Sequence, residues 1–479
     1  MAQIRFLLNG QERTIDGAAP TTTVLNYLRY QERLTGAKEG CAEGDCGACT
    51  VLLSEPDGMG GLRRRAVNAC ILFVPALHGR AVETVEALAQ DGVLNPLQMA
   101  MVDHHASQCG FCTPGFVMQL QASWLNGALS DRQSVKDAIS GNLCRCTGYG
   151  PIIDAGLALA EVERADSRVS DAALAQRLAD IRGTGTFTYE TAEGVWHSPE
   201  NVDDLADLYA AAPDAVLVAG ASDVGLWVTK QHRALPVLID ISRVEDLRFV
   251  EEGGGSVFFG AAVTHEEARP RLALIHPALD ELMRRFAGSQ VRNCGTIGGN
   301  IANGSPIGDL PPALIALGAT LHLRSGDEAR QLLLEEFFID YGKQDRAPGE
   351  FVAAVEVPEL ELDERFACYK ISKRMDSDIS AVLAAFRLRL DGDVVSDVTL
   401  AFGGMAGTPR RARNAEAALI GRVFDNAAVA AAQAALAADF QPLSDMRASA
   451  NYRLTVAGNC LQRFQMELAG VPTRIAEVA

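Results

Sequence analysis

Eight of the eleven cysteines fall before residue 147, and their spacing is the feature of the chain most able to do chemistry. Cys41, Cys46 and Cys49 run C-x4-C-x2-C with Cys70 as a distant fourth thiol, the plant-type pattern for a [2Fe–2S] centre. Cys109 and Cys112 make a C-x2-C pair and Cys144 and Cys146 a C-x-C pair, enough for a second centre. Two irons need four thiolates on chain that wraps them closely, and Gly40, Gly44 and Gly47 leave backbone room for the wrap. Amides bared in this way can point at the sulfurs and help set the reduction potential. Four thiolates also suit tetrahedral zinc. Zinc sites usually pair C-x2-C knuckles, whereas the first set has one such pair beside a longer interval, so zinc stands as the alternative and iron–sulfur as the reading.

The elements that position these thiols can be read around them. Ile4–Leu8 is expected as a strand, Asn9 and Gly10 as a tight hairpin turn and Thr14-Ile15 as the return. A helix capped by Thr22 or Thr23, with Val24, Leu25 and Leu28 on its apolar face, is expected to stop at Gly36. Four short helices follow, at 96–103, 114–125, 134–140 and 152–162, with Thr113 as the cap of the second. The cysteine pairs sit at helix ends, where two loops can converge on one centre. Residues 163–188, rich in Arg, Asp, Ser and Ala, read as a charged linker with one helix at 171–180. Beyond it, strand-like runs at 216–219, 237–241 and 257–259 alternate with helices, and the last segment combines strands at 381–390 and 394–402 with two alanine-rich helices and a terminal helix.

With 479 residues, 48% apolar and 22% charged, the chain has the balance of a multidomain globular protein. A net charge of −18 argues against a nucleic-acid partner, which needs a concentrated basic face. The basic runs Arg63 to Arg65 and Arg410, Arg411 and Arg413 read as solvated faces or partner contacts. Neither a signal peptide nor a membrane span is expected, and so many cysteines in a cytoplasmic chain favour metal-binding thiols over disulfides. Cys294, Cys368 and Cys460 are isolated and read as small hydrophobes.

Neither a Rossmann fingerprint nor a P-loop occurs. Two other loops can cradle a phosphate through exposed amides: Leu217 to Val224, after a strand, and Gly295 to Asp309. By composition alone each is as well explained by an ordinary turn.

The strings CAEGDCGACTVLL from Cys41 and QCGFCTPGF with GNLCRCTGY from Gln108 and Gly141 resemble those of the molybdenum hydroxylases, the xanthine dehydrogenase and aldehyde oxidase family. The resemblance covers essentially the whole chain. It implies a multidomain α+β architecture: a β-grasp ferredoxin-like [2Fe–2S] domain (1–88), a helical four-helix-bundle [2Fe–2S] domain (89–162), the linker (163–188), a VAO/PCMH-type FAD-binding domain (189–364) and a C-terminal flavoprotein domain (365–479). It also implies an order. Cys109, Cys112, Cys144 and Cys146 would hold the centre nearer the molybdenum cofactor, with Gln108 reaching the molybdopterin of a partner, and Cys41, Cys46, Cys49 and Cys70 the one nearer FAD. By motif position the FAD contacts would be Leu217, Val218, Ala219, Gly220, Ala221, Ser222, Asp223, Val224, Phe286, Thr296, Ile297, Gly298, Gly299, Asn300, Asn303, Asp309, Val352 and Lys370. Asn303 stands where the family more often has a hydroxyl residue. Lys370 to Asp378 matches the family loop beside the flavin, although its charges suit a solvated loop equally.

No residue of this chain is expected to carry out hydroxylation. The catalytic glutamates would lie on a molybdopterin-binding large subunit, in a heterotetramer of two small and two large subunits, and electrons from purine hydroxylation would pass through both clusters and FAD to NAD. The rivals are another molybdenum hydroxylase, acting on aldehydes, CO or N-heterocycles, a molybdenum-free iron–sulfur flavin reductase, and a zinc-stapled interaction protein.

Overall fold

Asn9 and Gly10 both take positive φ, 51° and 79°, and this mirror-image turn folds strand Ile4–Leu8 back on Gln11–Ile15 in antiparallel register. The computed structural model describes residues 2–163 and 171–473. They divide into two compact units, one made by the chain up to Glu245 with Ala287–Gly295, the other by Asp246–Phe286 with the chain from Thr296 onward.

In the first unit the hairpin belongs to a five-stranded sheet ordered Gln11–Ile15, Ile4–Leu8, Ala81–Glu83, Thr50–Pro56, Leu62–Asn68. The helix that follows the hairpin is shorter than expected. Thr23 caps it, accepting from Asn26 N at 3.2 Å, but the chain passes through Tyr27–Gln31 with π-type bonding and does not run on to Gly36. Gly36 serves a close approach instead, since a Cβ there would lie 2.4 Å from Val85 Cγ1. Four helices, Pro96–Asp103, Thr113–Leu125, Arg132–Ile139 and Gly150–Ala160, share a core of Leu97, Phe116, Leu120, Val135, Ile152 and Leu159. Asn95 with Gln98 and Asp131 with Ser134 form capping boxes, so the third helix starts before Ser134. Cys112, not Thr113, occupies the cap position of Thr113–Leu125, and the Thr113 hydroxyl bonds Ser107 Oγ at 2.7 Å. Within the expected linker, Asp171–Arg182 is helical and 164–170 lie outside the described residues. A mixed sheet then runs Phe187–Thr191, Gly194–Ser198, Val237–Asp240, Val216–Val218, and its Trp196 packs edge-on to Phe73 of the first domain at 6.3 Å.

The second unit holds an antiparallel five-stranded sheet ordered Val250–Gly253, Ser256–Gly260, Phe351–Pro358, Thr320–Ser325, Glu328–Leu333. A four-stranded antiparallel sheet begins with Glu364–Ile371, Val382–Asp391 and Val394–Gly403 and carries helices Asn426–Asp439 and Ala450–Leu468. Helix Leu310–Leu317, every residue buried, lies in the core of this unit.

The Arg63 to Arg65 run is not a solvated face, whereas Arg410 and Arg413 are exposed. Glu55, 5% exposed, accepts from Arg80 Nε at 2.6 Å, from Arg65 at 2.6 Å and from Arg63 at 3.3 Å, and Arg64 pairs with Asp171 at 2.7 Å. Arg411 and Arg413 likewise reach Glu335 and Glu416. Alternation along Leu62–Asn68 puts successive arginines on different partners, which a one-dimensional charge count does not show. Removing Glu55 would take from buried Arg80 the carboxylate it bonds at 2.6 Å. Glu55→Ala is expected to cost on the order of 3 kcal/mol, read as a lowered urea midpoint for the first unit, with Glu55→Gln losing less.

Candidate iron–sulfur and flavin sites

Cys41, Cys46 and Cys49 lie on the loop that leads into strand Thr50–Pro56, and Cys70 follows strand Leu62–Asn68, so the antiparallel pairing of these strands brings the fourth thiol back to the other three. The Cys41 thiol is in hydrogen-bond contact with those of Cys46 and Cys70, and Cys70 also with Cys49. The Glu43 and Cys46 amides both donate to Cys41 Sγ at 3.4 Å. The bonds from Cys46 and Cys70, then those amides, draw the Cys41 thiol far below its ordinary range, whereas its contacts with Cys41 and Cys49, and then burial, push Cys70 far up. Four packed thiols cannot all ionise side by side unless a multivalent cation sits among them. The walls fit a closely held group: a Cβ on Gly40 would lie 2.8 Å from Cys46 Sγ. Asn68, which lies outside every sequence motif, donates to Gly44 O at 2.8 Å and accepts from Cys49 Sγ at 3.7 Å.

The second set joins two helix ends. Cys109 contacts Cys146 and Cys112 contacts Cys144, so the contacts cross between the loops instead of following the pairs seen in the sequence. Burial and then Cys144 push the Cys112 thiol up to about 12. Burial pushes the Cys144 thiol up, but the Thr147 hydroxyl at 3.1 Å and amide at 3.5 Å, together with the Cys146 amide and the Cys112 thiol, outweigh it and bring Cys144 down. The Tyr149 hydroxyl accepts from Cys144 N at 2.9 Å. Cys109, Cys146 and Gln108 are exposed, whereas Cys49 and Cys70 are each 2% exposed.

The two sets meet at one stretch of backbone. Leu143 N donates to Cys46 O at 3.0 Å, and Asn142 Nδ2 donates to Gly47 O at 3.1 Å. A Cβ on Gly47, where φ is +67°, would lie 2.4 Å from Gly141 O, and one on Gly115 would lie 2.2 Å from Gly47 O. Glycine is therefore required on both sides of the contact.

Of the expected flavin residues, Leu217 to Val224 lie in the first unit. They leave strand Val216–Val218, turn at Ala221 with φ 54° and enter helix Val224–Thr229, with Asp223 at its cap position. Gly220 is closed in, because a Cβ there would lie 2.1 Å from Cys294 O. Among the described residues, the Ala221 and Ser222 amides have no protein acceptor. The helix end reaches the first cysteine loop, with Thr229 Oγ1 donating to Ala42 O at 2.7 Å and Lys230 Nζ to Cys41 O.

The others lie in the second unit. Thr296 caps helix Ile297–Asn303, accepting from Gly299 N at 3.0 Å, and Gly298 packs on Ala261, where a Cβ would lie 2.5 Å from the Ala261 Cβ. The amides of Ile297, Gly298, Gly299 and Asn300 are all taken up within the protein, so this loop is not the open amide cradle its glycines suggested. Its unmatched group is Asn300 Oδ1, buried without a hydrogen-bond partner. Asn303 is exposed beside the Gly304 turn, Val352 is buried in strand Phe351–Pro358, and Phe286 lies 4.7 Å from the His265 ring. Asp309 and Lys370 meet directly: Lys370 Nζ donates to Asp309 Oδ2 at 2.5 Å and to Ser380 Oγ at 2.9 Å, and Ser380 donates to Asp309 Oδ1 at 2.5 Å. The 370–378 loop is tied down, with Arg374 N donating to Asp378 Oδ2 at 2.8 Å and Arg374 Nη2 to Ser377 O at 2.6 Å. A separate cavity of about 310 Å³, lined by His276, Glu281, Phe366, Cys368 and Glu467 among others, contains none of the expected flavin residues.

Residues 6–74 match the family model for a 2Fe-2S iron-sulfur cluster binding domain and 84–157 that for a [2Fe-2S] binding domain. Residues 187–360 match the FAD binding domain in molybdopterin dehydrogenase, and 367–468 the CO dehydrogenase flavoprotein C-terminal domain. A solved Cu,Mo-CO dehydrogenase chain, in its cyanide-inactivated form, is 30% identical with a TM-score of 0.53, over 56% of this chain and 94% of that one. The chain belongs to the molybdenum hydroxylase family. It is the electron-transfer part of such an oxidoreductase, with two [2Fe–2S] domains and an FAD-binding domain. Xanthine dehydrogenase of Drosophila subobscura is 34% identical over 84% of this chain, and aldehyde oxidase 1 of Rattus norvegicus 30% identical over 88%. The chain spans about a third of the length of these family members, 34% and 36%. No helix among the described residues is long and apolar enough to cross a membrane.

The glycine contact between the two cysteine loops is open to a direct test. Gly47→Ala is expected to lower the iron bound per purified chain, read by metal analysis and visible absorption. Gly150→Ala, where a Cβ meets nothing within 4 Å, is expected to leave it unchanged.

Proposed function

We propose that this chain is the iron–sulfur and flavin subunit of a xanthine dehydrogenase, acting in the cytoplasm beside a molybdopterin-binding large subunit and passing electrons from purine hydroxylation to NAD. The observation that carries the reading is the backbone joint between the two four-thiol sets, one exposed at Cys109 and Cys146 and the other buried against the helix that follows Leu217 to Val224. That arrangement has an entry face and an inner end.

In this reading Cys109, Cys112, Cys144 and Cys146 hold the cluster that receives electrons, and Cys41, Cys46, Cys49 and Cys70 the cluster that passes them on. Gln108 and the exposed apolar side chains Met99, Val102, Phe111 and Leu143 form the face offered to the large subunit. Ala221 and Ser222 offer amides to the FAD diphosphate, with the rest of Leu217 to Val224 around them. Thr296 to Asn300, Phe286, Asn303, Asp309, Val352 and Lys370 are assigned as further FAD contacts. When bound, the clusters carry single electrons and FAD converts pairs of them into hydride for NAD. The large subunit would oxidise hypoxanthine to xanthine and xanthine to urate, and the pair of small and large chains would form a heterotetramer of two each.

A different molybdenum hydroxylase is the second reading, since an aldehyde oxidase is nearly as similar. The xanthine reading is favoured over the aldehyde one by identity, 34% against 30%, since both relatives align with the iron–sulfur and flavin parts together, over 84% and 88% of this chain. The CO dehydrogenase chain, matched over nearly its whole length, accounts for only 56%.

Co-expression with a molybdopterin subunit is expected to give a complex containing molybdenum, about four irons and one FAD per small chain, and NADH formation dependent on xanthine. An active complex without molybdenum would overturn the family role, and activity with aldehydes but not purines would overturn the substrate. In the isolated chain, Cys109→Ser is expected to remove about half of the iron and leave FAD in place, measured by metal and flavin content.

A further inference from the structure

Gln290 is 1% exposed and comes from Ala287–Gly295, a stretch remote in sequence from both cysteine sets but part of the same compact unit. Its side-chain nitrogen donates to Asn142 Oδ1 at 2.8 Å and to Thr50 Oγ1 at 3.2 Å. Both of these residues donate in turn to one acceptor, Gly47 O: Asn142 Nδ2 at 3.1 Å and Thr50 Oγ1 at 2.6 Å. Because a carbonyl can only accept, this fixes both side-chain amide orientations in this hydrogen-bonded network. Asn142 must turn its nitrogen to Gly47 and its oxygen to Gln290, and Gln290 must turn its nitrogen to Asn142 and Thr50.

The surrounding packing leaves this side chain little freedom. A Cβ on Gly141 would lie 2.1 Å from Gln290 Oε1, and one on Gly288 would lie 2.4 Å from Gly141 Cα. The stretch is also anchored to both cysteine-bearing domains, with Ser289 Oγ donating to Ala138 O at 3.2 Å and Asn293 Nδ2 to Ala66 O at 3.0 Å. Next to Gly47 is the Cys46 carbonyl, and next to Asn142 is the Leu143 amide that bonds to it, so whatever fixes Gly47 and Asn142 also fixes that bond.

We propose that Gln290 is a positioning residue for electron transfer between the two iron–sulfur centres, because it clamps Asn142 and Thr50 onto Gly47 and thereby holds the Cys46–Leu143 backbone contact, which joins a ligand of one centre to the residue next to Cys144, a ligand of the other. It rests on the assignment of the eight cysteines as cluster ligands. In the step it serves, the centre at Cys109, Cys112, Cys144 and Cys146 loses one electron and the centre at Cys41, Cys46, Cys49 and Cys70 gains it. No bond forms or breaks. Gln290 touches neither centre and acts only by fixing their separation and the contact between them.

The test uses the full chain with both clusters loaded, reduced by less than one equivalent of dithionite, whose one-electron radical is oxidised as the exposed centre is reduced. Freeze-quench electron paramagnetic resonance then follows the arrival of the electron at the buried centre. Gln290→Met, of similar length but without the donor, is expected to keep the full iron content and slow the arrival about tenfold. It is also expected to change the magnetic coupling between the centres when both are reduced. Thr50→Val and Asn142→Ala are expected to act in the same direction, and Gln290→Met combined with Thr50→Val to add little to either alone. Should Gln290→Met lose iron, Thr50→Val, which preserves shape, decides the matter. Native arrival rate and coupling in a variant with full iron would overturn the proposal. Absence of iron from the native chain would instead overturn the cluster assignment on which it rests.

Discussion

A single peptide carbonyl, that of Gly47, takes hydrogen bonds from the Thr50 amide, the Thr50 hydroxyl and the Asn142 side chain, and around it backbones approach too closely for any side chain larger than hydrogen. Much of the first unit follows from that crowding. Gly47, Gly115, Gly141 and Gly288 come from four separate stretches, and each is small because another backbone or a buried amide occupies the space a Cβ would need. A contact of this kind cannot shift gradually, because close-packed interiors resist small displacements. The two cysteine-bearing domains are thus one mechanical piece where it matters for their thiols.

Around that joint lies a gradient of burial. Cys109 and Cys146 face outward, Cys49 and Cys70 are enclosed, and Thr229 and Lys230 then carry the contact from the first cysteine loop to the helix after Leu217 to Val224. Each unit, taken by itself, also holds a buried polar network. Glu55 gathers three arginines beneath the sheet, and in the second unit Lys370, Asp309 and Ser380 close a buried triangle. Desolvation offsets most of the attraction within a buried ion pair, yet removing one partner is costly, so these networks fix geometry more than they add stability.

The sequence by itself determined the inventory of candidate thiols and the order of the elements. Spacing is a property of the chain, and a C-x4-C-x2-C loop must present three thiols within a short reach whatever surrounds it. The hairpin at Asn9-Gly10 and the four helices were legible for the same reason, since turn chemistry and helical periodicity are local. Only the tertiary structure decided the rest. It crossed the second set's contacts between loops, ended the first helix before Gly36, turned the Arg63 to Arg65 run inward onto Glu55 and Asp171, and consumed the amides of the Thr296 to Asn300 loop. It also brought in Gln290 and Asn68, ordinary polar residues outside every motif. Their importance comes from what they bond, an amide oxygen and a hydroxyl for Gln290, a backbone carbonyl and a thiol for Asn68, and no one-dimensional pattern encodes partners that folding alone brings into hydrogen-bond reach.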